Sequence, residues 1–216
     1  MPDFQKQIRA YWDGAGAAKD FSAPFDLAAF SLFVPLTAAV LDVGCGYGRT
    51  LAELQMAGYG RLLGLDPSPG LLARGRAEHP QLALARFDGR TLPCADETLT
   101  AVLLVGVLTA LPLDRDQDLL LAEIHRVLAP KGVFVLGDFA LNTDARNLAR
   151  YAQGLARYGL AGVFDLPQGG LARHHGPERV REITAPYIPL HFRLGRYQTM
   201  NGNLSAGFFF LGRKPG

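Results

Sequence analysis

The sequence predicts an α/β fold: a doubly wound, mostly parallel seven-stranded sheet with a C-terminal antiparallel hairpin and an N-terminal helical lid. Three observations lead there. Short apolar runs alternate with helical patterns at least four times, which calls for parallel strands joined by crossover helices. The first of these runs, Val40 to Val43, breaks into Gly44-Cys45-Gly46-Tyr47-Gly48 and then into a helical pattern from Arg49. The last two runs flank Asn201-Gly202-Asn203, a hairpin turn signal.

The 216 residues suffice for one domain with a real core. Hydrophobic residues make up 49 % and charged ones 19 %, which is globular and argues against disorder. The formal net charge is +2 with no basic run, so no nucleic-acid footprint is indicated. Cys45 and Cys94 have no partner at metal-ligand spacing. No metal site is expected, and two isolated thiols suit a reducing cytoplasm. Met1 to Lys6 lacks the pattern of a signal peptide, and no apolar run approaches the ~20 residues of a membrane span. Oligomeric state is not legible.

In order, Phe4, Ile8, Tyr11 and Trp12 fall at helical spacing. Asp13 to Gly16 ends that helix. A mobile segment, Lys19 to Phe25, leads to a second helix from Asp26 to Val34. These elements either cap the sheet or form a lid carrying Tyr11, Trp12, Phe21 and Phe25. Arg61 to Asp66 is a strand ending in an acid, and Pro67-Ser68-Pro69 opens a helix with Ser68 as N-cap. Leu82 to Phe87 is a third strand, ended by Asp88-Gly89. Leu99 to Val107 is apolar enough to be buried on both faces. Asp114 to Leu128 is helical, and Val133 to Asp138 is the fifth strand. Asn142 to Tyr158 reads as a helix, Gly159 to Gly176 stays ambiguous, and Pro177 to Thr184 is a short helix. Phe192 to Gln198 and Ala206 to Gly212 complete the sheet.

A strand, a glycine turn and a helix, followed by an acid at the next strand end, suit a nucleotide-like cofactor. The N–H groups opening the helix would suit an anionic or hydrogen-bond-accepting ligand. Dinucleotide sites carry G-x-G-x-x-G, but here the spacing is G-x-G-x-G with Arg49 following. Asp66 lies 22 residues beyond Gly44, right for a ribose carboxylate in either class.

The stretch Val40 to Gly48 resembles the first motif of the class I S-adenosylmethionine (SAM)-dependent methyltransferases. Leu63 to Ser68 looks like the second motif, Phe87-Asp88-Gly89 with Leu92-Pro93 like the third, and Val127 to Val133 like the turn before the fifth strand. Within that superfamily the chain looks most like the small-molecule and quinone-type branch. It departs at Leu99-Thr100, at Leu108 to Leu111, and at Lys131, which occupies a usual Gly. The Asn-Pro-Pro-aromatic signature of nucleic-acid amino-methylating enzymes is absent, with Val105-Gly106-Val107 in its place.

The resemblance implies SAM as cofactor and S-adenosylhomocysteine as product. Gly44, Cys45 and Gly46 would present backbone to the methionine moiety, with Asp42 reaching its amino group. Asp66 would take the ribose hydroxyls, and Pro67 and Ser68 would flank the adenine. Asp88 would accept the adenine amino group with Gly89 beside it, unless Asp88 only starts an Asp-Gly turn. Val105, Gly106 and Val107 would run under the sulfonium. Tyr11, also a candidate cofactor contact, and Phe21 would cover it, and Phe25, Asp138 and Phe139 would border the acceptor. His174 and His175 are the candidate catalytic residues, to orient or deprotonate the acceptor, with a solvated loop as the alternative. The implied reaction is in-line methyl transfer to a small, partly apolar acceptor. A nicotinamide-dependent oxidoreductase and a non-catalytic SAM-binding protein are the alternatives. On this reading 1–216 is a single domain: 1–36 lid, 37–138 cofactor-binding core, 139–216 substrate-side insertion and closing hairpin.

Overall fold

A computed structural model describes residues 4–216, so the first three residues of the expected lid lie outside the described residues. The strands are β1 (Ala39–Val43), β2 (Arg61–Asp66), β3 (Leu84–Arg86), β4 (Leu99–Val105), β5 (Leu128–Phe139), β6 (Val163–Asp165), β7 (Leu171–Arg173), β8 (Ile188–Gln198) and β9 (Leu204–Arg213). The helices are α1 (Phe4–Asp13), α2 (Leu27–Phe33), α3 (Arg49–Met56), α4 (Pro69–Glu78), α5 (Asp114–Val127), α6 (Ala145–Tyr158) and α7 (Pro177–Thr184). Seven strands form one sheet in the order β3-β2-β1-β4-β5-β9-β8, parallel through β5 and antiparallel from β5 to β9 and β8. The sheet order reverses between β1 and β4, and in such sheets ligands bind outside the carboxyl ends of those strands.

Alternate residues of the central strands feed opposite faces. Val40, Ala101 and Leu103 pack under α2, α3 and α4 through Phe30, Leu51 and Leu72. Leu41, Val102 and Leu104 pack under α5 and α7 through Ile124 and Ile183. Ser68 caps α4 as expected, its hydroxyl accepting from Leu71 N–H with Pro69 at the first position.

The ambiguous stretch after α6 holds a small separate hairpin, β6 against β7. Three-residue strands carry too few alternations to be read from sequence. Lys131, at the position where the resemblance expects glycine, adopts φ +65. The turn therefore keeps a glycine-like backbone at the strain cost of a side chain.

The two N-terminal helices pack in different places. Phe30 of α2 is fully buried on the sheet. By contrast, α1 crosses to the β6–β7 hairpin, where Phe4 packs with Val163 and Leu171. The segment expected to be mobile, Lys19 to Phe25, is irregular but anchored. The Arg74 guanidinium donates to the carbonyls of Ala17 and Lys19 and pairs with Asp20.

The β6–β7 hairpin sits against α6 where Gly154 faces it, and a methyl group there would run into the Val163 carbonyl. Gly154→Ala should lower stability by about 1–3 kcal/mol, the usual cost of overpacking. Urea unfolding checks this, and an unchanged midpoint would show that the hairpin moves freely off the helix.

Candidate functional site

Above the carboxyl ends of β1 and β4 lies a cavity of about 320 Å³, within the range of small-molecule sites. Its floor is the glycine turn. Gly44 has φ +72, and a side chain there would meet Val107; Gly46 has φ +57, and a side chain there would meet the ring of Phe21. Both positions therefore require glycine for conformation and for space. Phe21 rests on the turn, tilted against Tyr47 at 4.9 Å and edge-on to Trp12 at 5.7 Å.

The hydrogen bonds of the turn decide what it offers a ligand. Gly44 and Cys45 N–H both donate to Leu65 O, Gly48 N–H to Cys45 O, and Gly46 N–H to Asp66 Oδ2 at 2.8 Å. Asp66 Oδ1 accepts from Ser68 N–H, also at 2.8 Å. The N–H groups of the turn itself are thus bonded inside the protein at these four positions. What faces the cavity instead is acid: Asp42 and Asp66 both line it and both are buried. Burial pushes Asp42 up to about 8, against the Arg49 charge, and Asp66 up to about 6, against its two backbone bonds. Buried carboxylates without an ion-pair partner favour an incoming cation or hydroxyl donor over a pyrophosphate.

Another part of the cavity wall is assembled from later elements. His174 lines the cavity, stacked against Phe139 at 5.7 Å and edge-on to Phe164 at 4.8 Å. Burial and the Arg150 charge lower it to about 3, so the ring is neutral. Asn142 Oδ1 accepts from Ala206 N–H, which turns its amide nitrogen toward His174 Nδ1 at 3.3 Å. An amide nitrogen only donates, so Nδ1 accepts, and the Tyr151 hydroxyl donates to it at 2.6 Å. The remaining proton is on Nε2.

Several expected positions are corrected. His175 is no solvated loop residue and does not line the cavity: its Nε2 accepts from the Gln117 amide at 3.0 Å, and it is 1 % exposed. Asp138 is fully buried, accepting from the N–H groups of Phe139 and Thr109, and only Phe139 reaches the cavity. Tyr11 packs against Gly170 and Trp12 with its hydroxyl buried and without a hydrogen-bond partner, behind the cavity wall that Trp12 lines. Phe25 packs on Phe30 and Phe209 over the sheet. Asp88 accepts from Arg90 and Thr91 N–H as an Asp-Gly turn residue and lines an adjoining, more open depression with Arg9 and Pro67; Gly89 lines neither space. Gly46 lies beneath Phe21 and is not itself a lining residue. Gly44, Cys45, Pro67, Ser68, Val105 and Gly106 all line the cavity, as does Val107. Sequence reasoning missed Arg146, Arg150, Tyr151 and the hairpin tip at Thr199 and Asn203. The arginines did leave a signal: they are four apart on a predicted helix with no acid at helical spacing.

The methyltransferase domain family matches residues 41–136. This stretch is a class I SAM-dependent methyltransferase domain. The chain is 40 % identical over 77 residues to human methyltransferase-like protein 27, covering 35 % of this chain and 31 % of that one. It is 31 % identical over 118 residues to demethylmenaquinone methyltransferase of Streptomyces avermitilis, covering 55 % and 49 %. The matched stretches thus span less than half the length of these two relatives. A SAM-dependent methyltransferase structure from Methanosarcina mazei shares the fold, with a TM-score of 0.82 at 20 % identity, over 88 % of this chain and 99 % of that one. No helix of the described residues is long and apolar enough to cross a membrane.

The buried groups set a pH dependence. Asp42, Asp138 and Asp66 sit at about 8, 7 and 6 in the folded protein, above an unfolded value of ~3.9. Each contributes stability at low pH that is lost as pH rises through its folded value. His174 and His175, lowered to about 3 and 4, act oppositely, but chiefly below the ordinary imidazole value of ~6.5. Between pH 6.5 and 8.5 the acids outweigh the fading histidine effect, and the raised Cys45 thiol acts in the same direction as they do, so the cofactor-free protein should lose stability as pH rises. Urea midpoints at pH 6.5, 7.5 and 8.5 check this; a flat or rising series would contradict the burial of these acids.

Proposed function

We propose that this chain transfers a methyl group from SAM to a small, partly apolar acceptor by in-line displacement. The observation that carries the reading is the acidic wall of Asp42 and Asp66 above a glycine turn whose N–H groups are already bonded. A cationic sulfonium cofactor with ribose hydroxyls fits that wall; a dinucleotide pyrophosphate does not. The demethylmenaquinone methyltransferase relative supports a small, partly apolar acceptor for this chain. A small-molecule partner and a reducing cytoplasm, given the free thiols of Cys45 and Cys94, complete the reading. The whole of 1–216 then acts as one catalytic domain.

SAM supplies an activated methyl group on a positively charged sulfur. The residues do the rest. Asp66 keeps one bond per oxygen to backbone and has lone pairs left for two ribose hydroxyls. Asp42 sits where the cofactor's amino group would be attracted. Val105, Gly106 and Val107 set the floor under the reacting carbon, and Phe21 and Trp12 offer ring faces worth roughly 0.5–2 kcal/mol each to a cation. His174, with Nδ1 held by Tyr151, orients the acceptor by donating from Nε2. Alignment of acceptor and methyl is worth several kcal/mol.

In calorimetry, SAM and S-adenosylhomocysteine should bind in the micromolar range, about −8 kcal/mol, with no NADH binding. Asp66→Asn should weaken S-adenosylhomocysteine at least tenfold, and it should also cost about 1–3 kcal/mol of stability because one backbone N–H loses its acceptor. Binding of NADH in place of SAM would overturn the reading. His174→Gln should lower turnover on the true acceptor while cofactor affinity stays within about twofold, ~0.4 kcal/mol; unchanged turnover would remove His174 from the reaction.

A further inference from the structure

The cavity wall also carries two guanidinium groups, Arg146 and Arg150, that form no ion pair among the described residues. Arg146 and Arg150 stand four residues apart on α6, so their side chains leave the same face, and both line the cavity. Neither forms an ion pair among the described residues. Nearby arginines behave otherwise: Arg157 pairs with Asp165, Arg173 with Asp114, and Arg179 with Asp118. The acids that could serve are engaged. Asp144 caps α6, accepting from the backbone and side-chain nitrogens of Asn147. Asp165, also on the cavity wall, takes Arg157 and the Tyr158 hydroxyl.

Arg150 is held in place without being neutralised. Its guanidinium lies 3.6 Å from the centroid of the Phe164 ring, and its Nε is buried without a hydrogen-bond partner. The same Phe164 ring meets His174 edge-on, so guanidinium, ring and imidazole form one contiguous surface. Burial and then the Arg146 charge lower Arg150 against the opposing pull of Tyr151 and Asp144, and both arginines lower His174, against Asp144, so the net effect on both groups is that of added positive charge and burial. A partly desolvated cation is costly unless an anion meets it, and hydrogen bonds to an oxyanion are roughly twice as strong as neutral ones.

We infer that the methyl acceptor carries an oxyanion head, a carboxylate or phosphate, bound by Arg146, Arg150 and the Nε2–H of His174. Its apolar body lies along Leu166, Leu171 and Phe139 toward the cofactor. This rests on the methyl-transfer reading for the site and adds the chemical class of the substrate. The lining groups divide the work: Asp42 and Asp66 receive the cationic cofactor, and Arg146 and Arg150 receive the anionic acceptor.

The test uses the full chain loaded with S-adenosylhomocysteine and four eight-carbon probes: octanoate, octyl phosphate, octanamide and octanol. Calorimetry should show at least one of the two anions binding tenfold or more tighter than octanamide and octanol, and the better anion identifies the head. Arg146 is exposed, so Arg146→Gln should fold normally; it should cut that preference to below threefold while S-adenosylhomocysteine affinity stays within twofold. Arg150→Gln should do the same, with melting temperature as the check on folding. Equal binding of anions and neutral probes, or no binding by any of the four with the cofactor product bound normally, overturns the inference. Loss of S-adenosylhomocysteine affinity in Arg146→Gln also overturns it, by assigning the guanidinium to the cofactor's own carboxylate. Failure of the wild-type chain to bind S-adenosylhomocysteine at all would instead defeat the methyl-transfer reading.

Discussion

The carboxylate of Asp66 holds the site together. It ends β2, yet one oxygen accepts from Gly46 in the turn after β1 and the other from Ser68 at the start of α4. Three chain segments converge on one group, and each bond is charge-assisted when the group is ionised. Ser68 extends the connection, its hydroxyl donating to Asp13 at the end of α1. The glycine turn, the second crossover helix and the N-terminal roof therefore share one fixed point. A change at Asp66 is felt in the backbone of the turn as well as in the cavity.

The sheet was legible because its cause is local. Strand, helix and turn patterns repeat along the chain, and the Val40–Gly48 stretch carries its own geometry in its glycines. The helix limits at Ser68 and Pro69 followed from capping chemistry that needs no tertiary partner. The surroundings of His174 and His175 were not legible, because their geometry depends on contacts far apart in sequence. His174 is fixed by Asn142 and Tyr151, 32 and 23 residues away, and His175 by Gln117, 58 residues away. Adjacent histidines read alike in sequence; the alternation of backbone direction sends one ring to the cavity and the other toward α5. Tyr11 and Trp12 repeat the lesson, since neighbouring positions on a helix point about 100° apart and only one faces the cavity. Asp88 illustrates the reverse case: an acid at a strand end matched a motif, and its immediate backbone neighbours claimed it.

Burial explains why the acids and the arginines differ in character. Asp42 and Asp66 rise directly from sheet strands, where water is excluded, so burial raises both carboxyls, Asp42 more than Asp66. The arginines stand on α6, outside the sheet, with long stems that cover apolar surface while the heads stay at the cavity. The acids therefore change charge with pH, while the arginines stay charged.

That acidic wall has a consequence for turnover. On the proposed reading, the cofactor arrives with a positive sulfur and departs as a neutral thioether. Whatever attraction Asp42 and Asp66 exert on the sulfonium is extinguished by the reaction itself, while the hydroxyl and amine contacts remain. The wall thus discriminates spent from charged cofactor by electrostatics alone, and the discrimination is greatest when these carboxyls are ionised. Exchange of product for fresh reactant would then be driven by the disappearance of one charge, with no movement of the fold required to sense that the transfer has occurred.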